Sequence, residues 1–320
     1  MRWRSLAVTI TGLMVVAGCS PGDDESPETN MYLSLGDSLA VGVQPDESDG
    51  ELDETPHGYT DALYTSLYDE DSTLHHERMG CGGEDTTTIT TGELEHCDYG
   101  EGSQLAEAEA FLAEHDGSVD LITLGIGANN FTDCVEIEED GDDVEVNVDE
   151  DCVDEGMDTL RSDIPQITDR LRDAAGSDVQ IIGMTYYNPF LAAIMLDEDP
   201  EEGEGFTEED AEEIAIDEDP EPDPNGDTEE LAEYSVDVLG ELNEELDSAY
   251  TANNIDLADV ATAFEVDNFD IPADSDTEMP TNVQMLCDFT WMCNMDVGPD
   301  IHTNEAGATE IAEVFERQVR

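Results

Sequence analysis

Lysine is absent from this chain of 320 residues, and eight arginines supply all of its basic side-chain charge against 85 aspartates and glutamates. That shortage excludes the partners that basic surfaces recruit. A net charge of −77 repels nucleic acid and anionic membranes alike. It also repels itself in dilute buffer, whereas molar salt shortens the screening length to ~3 Å. Hydrated carboxylates with no lysine stems among them therefore describe a protein built for concentrated or alkaline brine. Long hydrophobic runs are missing too: the apolar stretch from Leu6 to Ala17 is too short to span a bilayer stably. CxxC pairs and clustered Cys/His spacings are also lacking, which removes the usual zinc reading. Disorder is the remaining option for so acidic a chain. The 38% hydrophobic content, arranged in periodic segments, argues against it.

What is present begins with an export signal. Arg2 and Arg4 precede the Leu6–Ala17 run, and Val16-Ala17-Gly18-Cys19 follows the pattern of a lipobox, in which Cys19 is acylated and becomes the mature N-terminus. We expect a lipoprotein signal peptide over 1–18, an acidic Pro/Gly-bearing tether over 19–30, and one domain over 31–320. Simple secretion with no lipid is the alternative. Six cysteines remain after Cys19, an even set that in an exported chain predicts disulfides. Six cysteines allow fifteen connectivities, and pairing of sequence neighbours (Cys81–Cys97, Cys134–Cys152, Cys287–Cys293) is the simplest.

Along the chain, apolar runs alternate with amphipathic segments. Leu33 and Leu35, Val119–Leu124, Val179–Met184 and Ile255–Val260 read as strands. Helical spacing recurs at Leu63 and Leu67, over Gln104–His115, at Leu160, Ile164, Ile167 and Leu171, over Leu231–Tyr250, and over Glu305–Val319 with Asn304 as its N-cap. Pro165 is expected to kink the third of these or to sit in its first turn. The stretch between Cys134 and Cys152 reads as an acidic loop, and about 197–230 as a solvated acidic insertion. Glu221–Asp227 has part of a calcium-loop pattern, but its position twelve is Ala232, so no metal is expected there. The alternation predicts an α/β fold: a three-layer α/β/α sandwich on a mostly parallel, flavodoxin-like sheet. Sites in such sheets lie at the carboxyl ends of strands. Ser38, Gly127, Asn129 and Tyr186 all follow strands and should converge.

The stretch Tyr32–Gly42 carries the chemistry. A serine in Gly36-Asp37-Ser38, on a sharp turn leaving a strand, presents a hydroxyl above the sheet edge; the plainer reading is that it caps a helix starting near Leu39. A nucleophilic serine requires a base, and His302 in Asp300-Ile301-His302, just before the last helix, is the leading candidate. Oxyanion donors could come from the Ser38 amide, from Gly82 or Gly83 in the glycine-rich Met79–Thr88 segment, and from the Asn129 side chain.

Gly36-Asp37-Ser38-Leu39, Gly83, Gly127-Ala128-Asn129 and His302, in that order, resemble the SGNH (GDSL) hydrolases over most of 31–320, and look closest to their secreted, disulfide-containing bacterial esterases and lipases. The resemblance implies Ser38 as nucleophile, His302 as general base and then acid, and an oxyanion hole of the Ser38 amide, the Gly83 amide and Asn129. It also implies neighbour pairing of the six cysteines and no cofactor. Two positions depart from the family pattern. The third block ends Asn129-Asn130 rather than Asn-Asp, and the place three residues before the histidine, usual for the orienting acid, holds Pro299. Asp300 could substitute, or the Pro299 carbonyl could accept from His302 in a Ser–His dyad, which is the favoured of the two. The expected activity is extracytoplasmic hydrolysis of a small-molecule, lipid or glycan ester, with membrane contact through a lipid on Cys19. The alternatives are carbohydrate O-deacetylation at the cell envelope and a non-catalytic envelope-binding protein.

Overall fold

The computed structural model describes residues 30–46, 48, 50–140, 143–191, 224–225, 228–272, 279–294, 297 and 299–320. The signal region with Cys19, and most of the acidic insertion with its calcium-like pattern, lie outside them. At the centre is a parallel sheet of five strands in the order β4-β1-β5-β8-β9. These are β1 (Met31–Gly36), β4 (His75–Arg78), β5 (Val119–Gly125), β8 (Gln180–Met184) and β9 (Asp256–Ala258). In β1 every residue from Tyr32 to Gly36 is buried, and β5 is buried from Leu121 to Gly125. Continuous apolar runs of this kind belong to strands covered on both faces.

The connections cover them. Helix α1 (Tyr59–Glu70) links β1 to β4, α3 (Gln104–Glu114) with the short α2 (Thr88–Thr91) before it links β4 to β5, and α4 (Glu150–Ala175) links β5 to β8. Helix α5 (Thr228–Ala252) precedes β9, the short α6 (Val260–Ala263) follows it, and α8 (Glu305–Glu316) is the last helix. Helices α1 and α8 pack together on one face, their contact marked by stacked Tyr59 and Phe315 rings 4.9 Å apart. On the other face α3, α4 and α5 pack in a row. Val153, Met157, Leu160, Ile164, Ile167 and Leu171 form the buried stripe of α4, the i, i+3/i+4 spacing of one helical face. Pro165 lies well inside this helix rather than in its first turn. The helix begins ten residues earlier than the Leu160 periodicity indicates, capped by the Asp149 carboxylate on the Cys152 amide.

Three features differ from the sequence reading. The Cys134–Cys152 stretch is a hairpin of β6 (Val135–Asp140) and β7 (Asp143–Val148), not an acidic loop; its valines alternate with acids. A second hairpin pairs β2 (Val43–Pro45) with β3 (Leu52–Glu54), and a helix α7 (Thr281–Phe289) packs on α8. The disulfides join Cys81 to Cys97, Cys134 to Cys152 and Cys287 to Cys293.

The scarce arginines act as joints. Arg172, in the last turn of α4, donates to the carbonyls of Gly176, Val179, Asn253 and Asn254, tying the ends of α4 and α5 together. Arg78 donates to the carbonyls of Val41 and Thr55 and pairs with Asp61.

Candidate active site

From β1 the chain crosses first to β4 on one side and then to β5 on the other, so the strand order reverses between β1 and β5, the crevice where open α/β sheets bind ligands. The two carboxyl ends approach so closely that a Cβ on Gly36 (φ +139) would fall 2.2 Å from the Gly125 carbonyl oxygen. Glycine is required there. The Asp37 amide then donates to that same carbonyl (3.1 Å), and the chain turns sharply to present Ser38.

No helix follows. Residues 38–42 are turns, which removes the reading of Ser38 as an N-cap. Asp37 does the local capping instead, its Oδ1 accepting from the Leu39 amide (3.0 Å) and its Oδ2 from the Tyr186 hydroxyl (2.6 Å). Burial pushes the Asp37 carboxyl up to about 6, against the opposing effects of Tyr186, the backbone amides and His302. The Ser38 hydroxyl has no hydrogen-bond partner among the described residues and faces a cavity.

His302 faces the same cavity from the loop between α7 and α8. It is buried, and its Nδ1 lies 2.8 Å from Asp300 Oδ1, which also accepts the His302 amide at 3.0 Å. The Nδ1 position is therefore occupied by the Asp300 carboxylate, whereas the sequence reading leaned to the Pro299 carbonyl. Burial raises the Asp300 carboxyl, but the hydrogen bonds from His302 and its charge outweigh it and hold the group below its usual value. The loop is braced by Tyr187, whose hydroxyl donates to the Ile301 carbonyl (2.6 Å), by the Trp291 backbone amide donating to the His302 carbonyl (3.0 Å), and by a bridge between Thr290 and Thr303. The Asn304 side chain caps α8 through the Ala306 and Gly307 amides, as its position predicts.

Asn129 lies in Ala128–Asn130, the first of two 3₁₀ turns after β5, and lines the cavity. One hydrogen of its Nδ2 goes to the Glu84 carbonyl (2.9 Å). Its neighbour Asn130 holds Thr86, accepting from the amide (3.2 Å) and donating to the hydroxyl (2.8 Å). The glycine loop passes beside Ser38: a Cβ on Gly82 would sit 4.0 Å from Ser38 Cβ, and Gly83 has φ +84. Gly83 is not among the residues that line the cavity.

Ser38, Asn129 and His302 thus share one cavity, and no hydrogen bond joins Ser38 to His302 in this structure. Beyond them the wall is apolar: Phe131, Val148, Phe190, Leu231, Val238 and Leu242 contribute to it. Val148 at the root of the β6–β7 hairpin is held by Asn225, which accepts from its amide (2.8 Å) and donates to its carbonyl (3.1 Å). No local pattern marks this wall, since its residues come from separate elements. Among the described residues, the group with metal-ligand chemistry is Cys81, His96 and Cys97; its two sulfurs are joined in a disulfide and offer no thiolate.

A serine turn, an asparagine and a carboxylate-paired histidine on one cavity are the parts that a serine hydrolase requires. The chain belongs to the GDSL-like Lipase/Acylhydrolase family, whose model matches residues 34–309. It is a carboxylic ester hydrolase. Among solved structures it is similar to an extracellular lipase from Streptomyces rimosus, with 15% identity and a TM-score of 0.47 over 90% of this chain and 99% of that one. A phospholipase A1 from Streptomyces albidoflavus NA297 matches at 14% identity and TM-score 0.44, over 90% and 98% of the two chains. An aryl esterase from M. smegmatis matches at 13% and 0.43, over 91% and 98%. No curated protein sequence matches the chain.

Proposed function

We propose that the protein cleaves esters through an acyl-enzyme on Ser38. Ser38 Oγ attacks the ester carbonyl carbon while His302 Nε2 takes its proton, with Asp300 holding the ring by Nδ1–H. The tetrahedral oxyanion is met by the Ser38 amide and the free N–H of Asn129; the Gly83 amide, the third donor of the family pattern, lies outside the cavity lining. Collapse breaks the C–O bond to the alcohol, which leaves with the proton from His302. Water, deprotonated by the same ring, then attacks the acyl-enzyme and releases the acid. The observation that carries this reading is the single cavity onto which Ser38, Asn129 and His302 all open.

The apolar wall supports an acyl chain longer than acetyl, because burying each methylene is worth ~0.8 kcal/mol; an O-acetyl glycan would leave that wall unused. Three disulfides fit an oxidising, extracytoplasmic setting. The lipobox at Cys19 supports anchoring on the outer membrane face, and the acid excess supports work in high salt.

The test is hydrolysis of a p-nitrophenyl ester series in molar NaCl. Butyrate to octanoate should be cleaved faster than acetate, and Ser38→Ala should reduce the rate to background. Full activity in Ser38→Ala would sink the mechanism. Narrowing the wall with Val238→Trp should move the optimum toward shorter chains; an unchanged optimum would place the acyl chain elsewhere.

A further inference from the structure

Behind the cavity, three side chains that the proposed chemistry does not use form one continuous hydrogen-bonded line. Gln104, fully buried at the start of α3, holds both backbone polar atoms of Gly36: its Oε1 accepts from the amide (2.6 Å) and its Nε2 donates to the carbonyl (3.0 Å). Nε2 also donates to the Tyr99 hydroxyl (3.0 Å), and Tyr99 donates to Glu84 Oε1 (2.8 Å). The donor count closes, since the amide gives two hydrogens, the hydroxyl takes one and gives one, and the carboxyl oxygen accepts. Glu84 in turn presents its backbone carbonyl to Asn129 Nδ2 (2.9 Å). That oxygen can only accept, so the Asn129 atom facing it is the nitrogen. Its second N–H is left for the cavity.

Glu84 is an expensive residue to keep here. It has no exposed surface, and its Oε2 has no hydrogen-bond partner, so nothing offsets the desolvation of that atom. Burial accordingly raises its carboxyl pKa. An apolar side chain would fill the space more cheaply but would have no bond to Tyr99. The Cys81–Cys97 disulfide joins the segment carrying Glu84 to the one carrying Tyr99, so the middle of the line is held covalently as well.

We propose that Gln104, Tyr99 and Glu84 are positioning residues that set the Ser38 turn and the Asn129 amide in register with each other. The line runs from the backbone of Gly36, two residues before Ser38, to the carboxamide of Asn129, and thereby fixes the spacing between attacking oxygen and oxyanion donor. Spacing of this kind acts on turnover rather than on substrate binding. The inference rests on the proposed roles of Ser38 and Asn129.

The test is a double-mutant cycle on p-nitrophenyl butyrate hydrolysis in molar NaCl, with Tyr99→Phe, Asn129→Ala and the double variant. Asn129→Ala should lower kcat by ~10²–10³-fold. Tyr99→Phe, which removes one hydrogen bond and leaves the ring, should lower kcat by ~5–10-fold with KM unchanged. In the double variant the Tyr99 effect should disappear, leaving the rate within about twofold of Asn129→Ala alone. Glu84→Gln keeps an acceptor for Tyr99 and should retain most of the rate, whereas Glu84→Leu should match Tyr99→Phe. If Tyr99→Phe does not fold, Gln104→Leu breaks the same line and replaces it in the cycle. Multiplicative losses, or a Tyr99→Phe enzyme with full kcat, would overturn the proposal while leaving the mechanism intact. A full-rate Asn129→Ala would remove the asparagine's role and the positioning line with it.

Discussion

Two aspartates flank the cavity and their environments push them in opposite directions. On the Ser38 turn, Asp37 is buried among neutral donors, a tyrosine hydroxyl and a backbone amide, and its carboxyl rises to about 6. On the histidine loop, Asp300 is also largely buried, but its partner is the His302 ring, and its carboxyl falls below the ordinary value. Burial alone raises a carboxyl; a hydrogen-bonded cationic partner reverses the sign. The comparison separates their tasks. Asp300 is placed to stabilise an imidazolium, the species formed when His302 takes the serine proton. Asp37 has no such partner at hydrogen-bonding distance and serves the shape of the turn.

The largest test of that division falls on Asp300. Asp300→Asn should cost ~10²–10⁴ in kcat, because the amide cannot hold the ring in the required tautomer with charge. Steady-state kinetics in molar NaCl would show it, and a near-wild-type rate would return the orienting role to a backbone carbonyl. Asp37→Asn should act on stability. The folded pKa of Asp37 lies above its unfolded value near 3.8, so its contribution is fully present below about pH 4 and is lost as pH rises through about 6. Asparagine does not titrate and still accepts from Leu39. The variant should therefore gain up to ~3 kcal/mol over the parent at pH 7 and almost nothing at pH 4. Denaturant midpoints at the two pH values would measure this; an equal difference at both would mean that Asp37 is not the titrating group. Asp300 has the opposite sign: its stabilisation is present above the ordinary carboxylate range and fades as pH falls through its lowered value. The smallest effect belongs to Tyr187→Phe, which releases the Ile301 carbonyl. It should lower stability by ~1 kcal/mol and slow turnover a few-fold by loosening the histidine loop, without the pH dependence of the Asp37 variant.

What the sequence could and could not show follows from the same physics. The four apolar strands and the two long helices behind them were legible, because burial on both faces leaves continuous apolar runs. The approach of Ser38, Asn129 and Tyr186 to one cavity was legible because each follows a strand, although Gly127 does not join them in lining it. Strand β4 was not: its residues His75-His76-Glu77-Arg78 sit at the sheet edge, where polar side chains are tolerated. The β6–β7 hairpin was hidden by its acids, although Val144, Val146 and Val148 alternate with period two. The choice between Asp300 and the Pro299 carbonyl depends on how a loop bends, which spacing does not encode. Glu84, Tyr99 and Gln104 are separated along the chain by up to twenty residues, and nothing local marks them as one line.

The arginines carry a consequence for life in brine. An ion pair between surface side chains weakens as salt screens it, and here carboxylates exceed guanidinium groups about tenfold. Arg172 nevertheless makes its four hydrogen bonds to carbonyl oxygens, and Arg78 binds two more. A carbonyl has no net charge to screen. The chain thus places two of its rare cations as mechanical fasteners between segments of backbone, a form of cohesion that salt weakens less than it weakens an exposed ion pair.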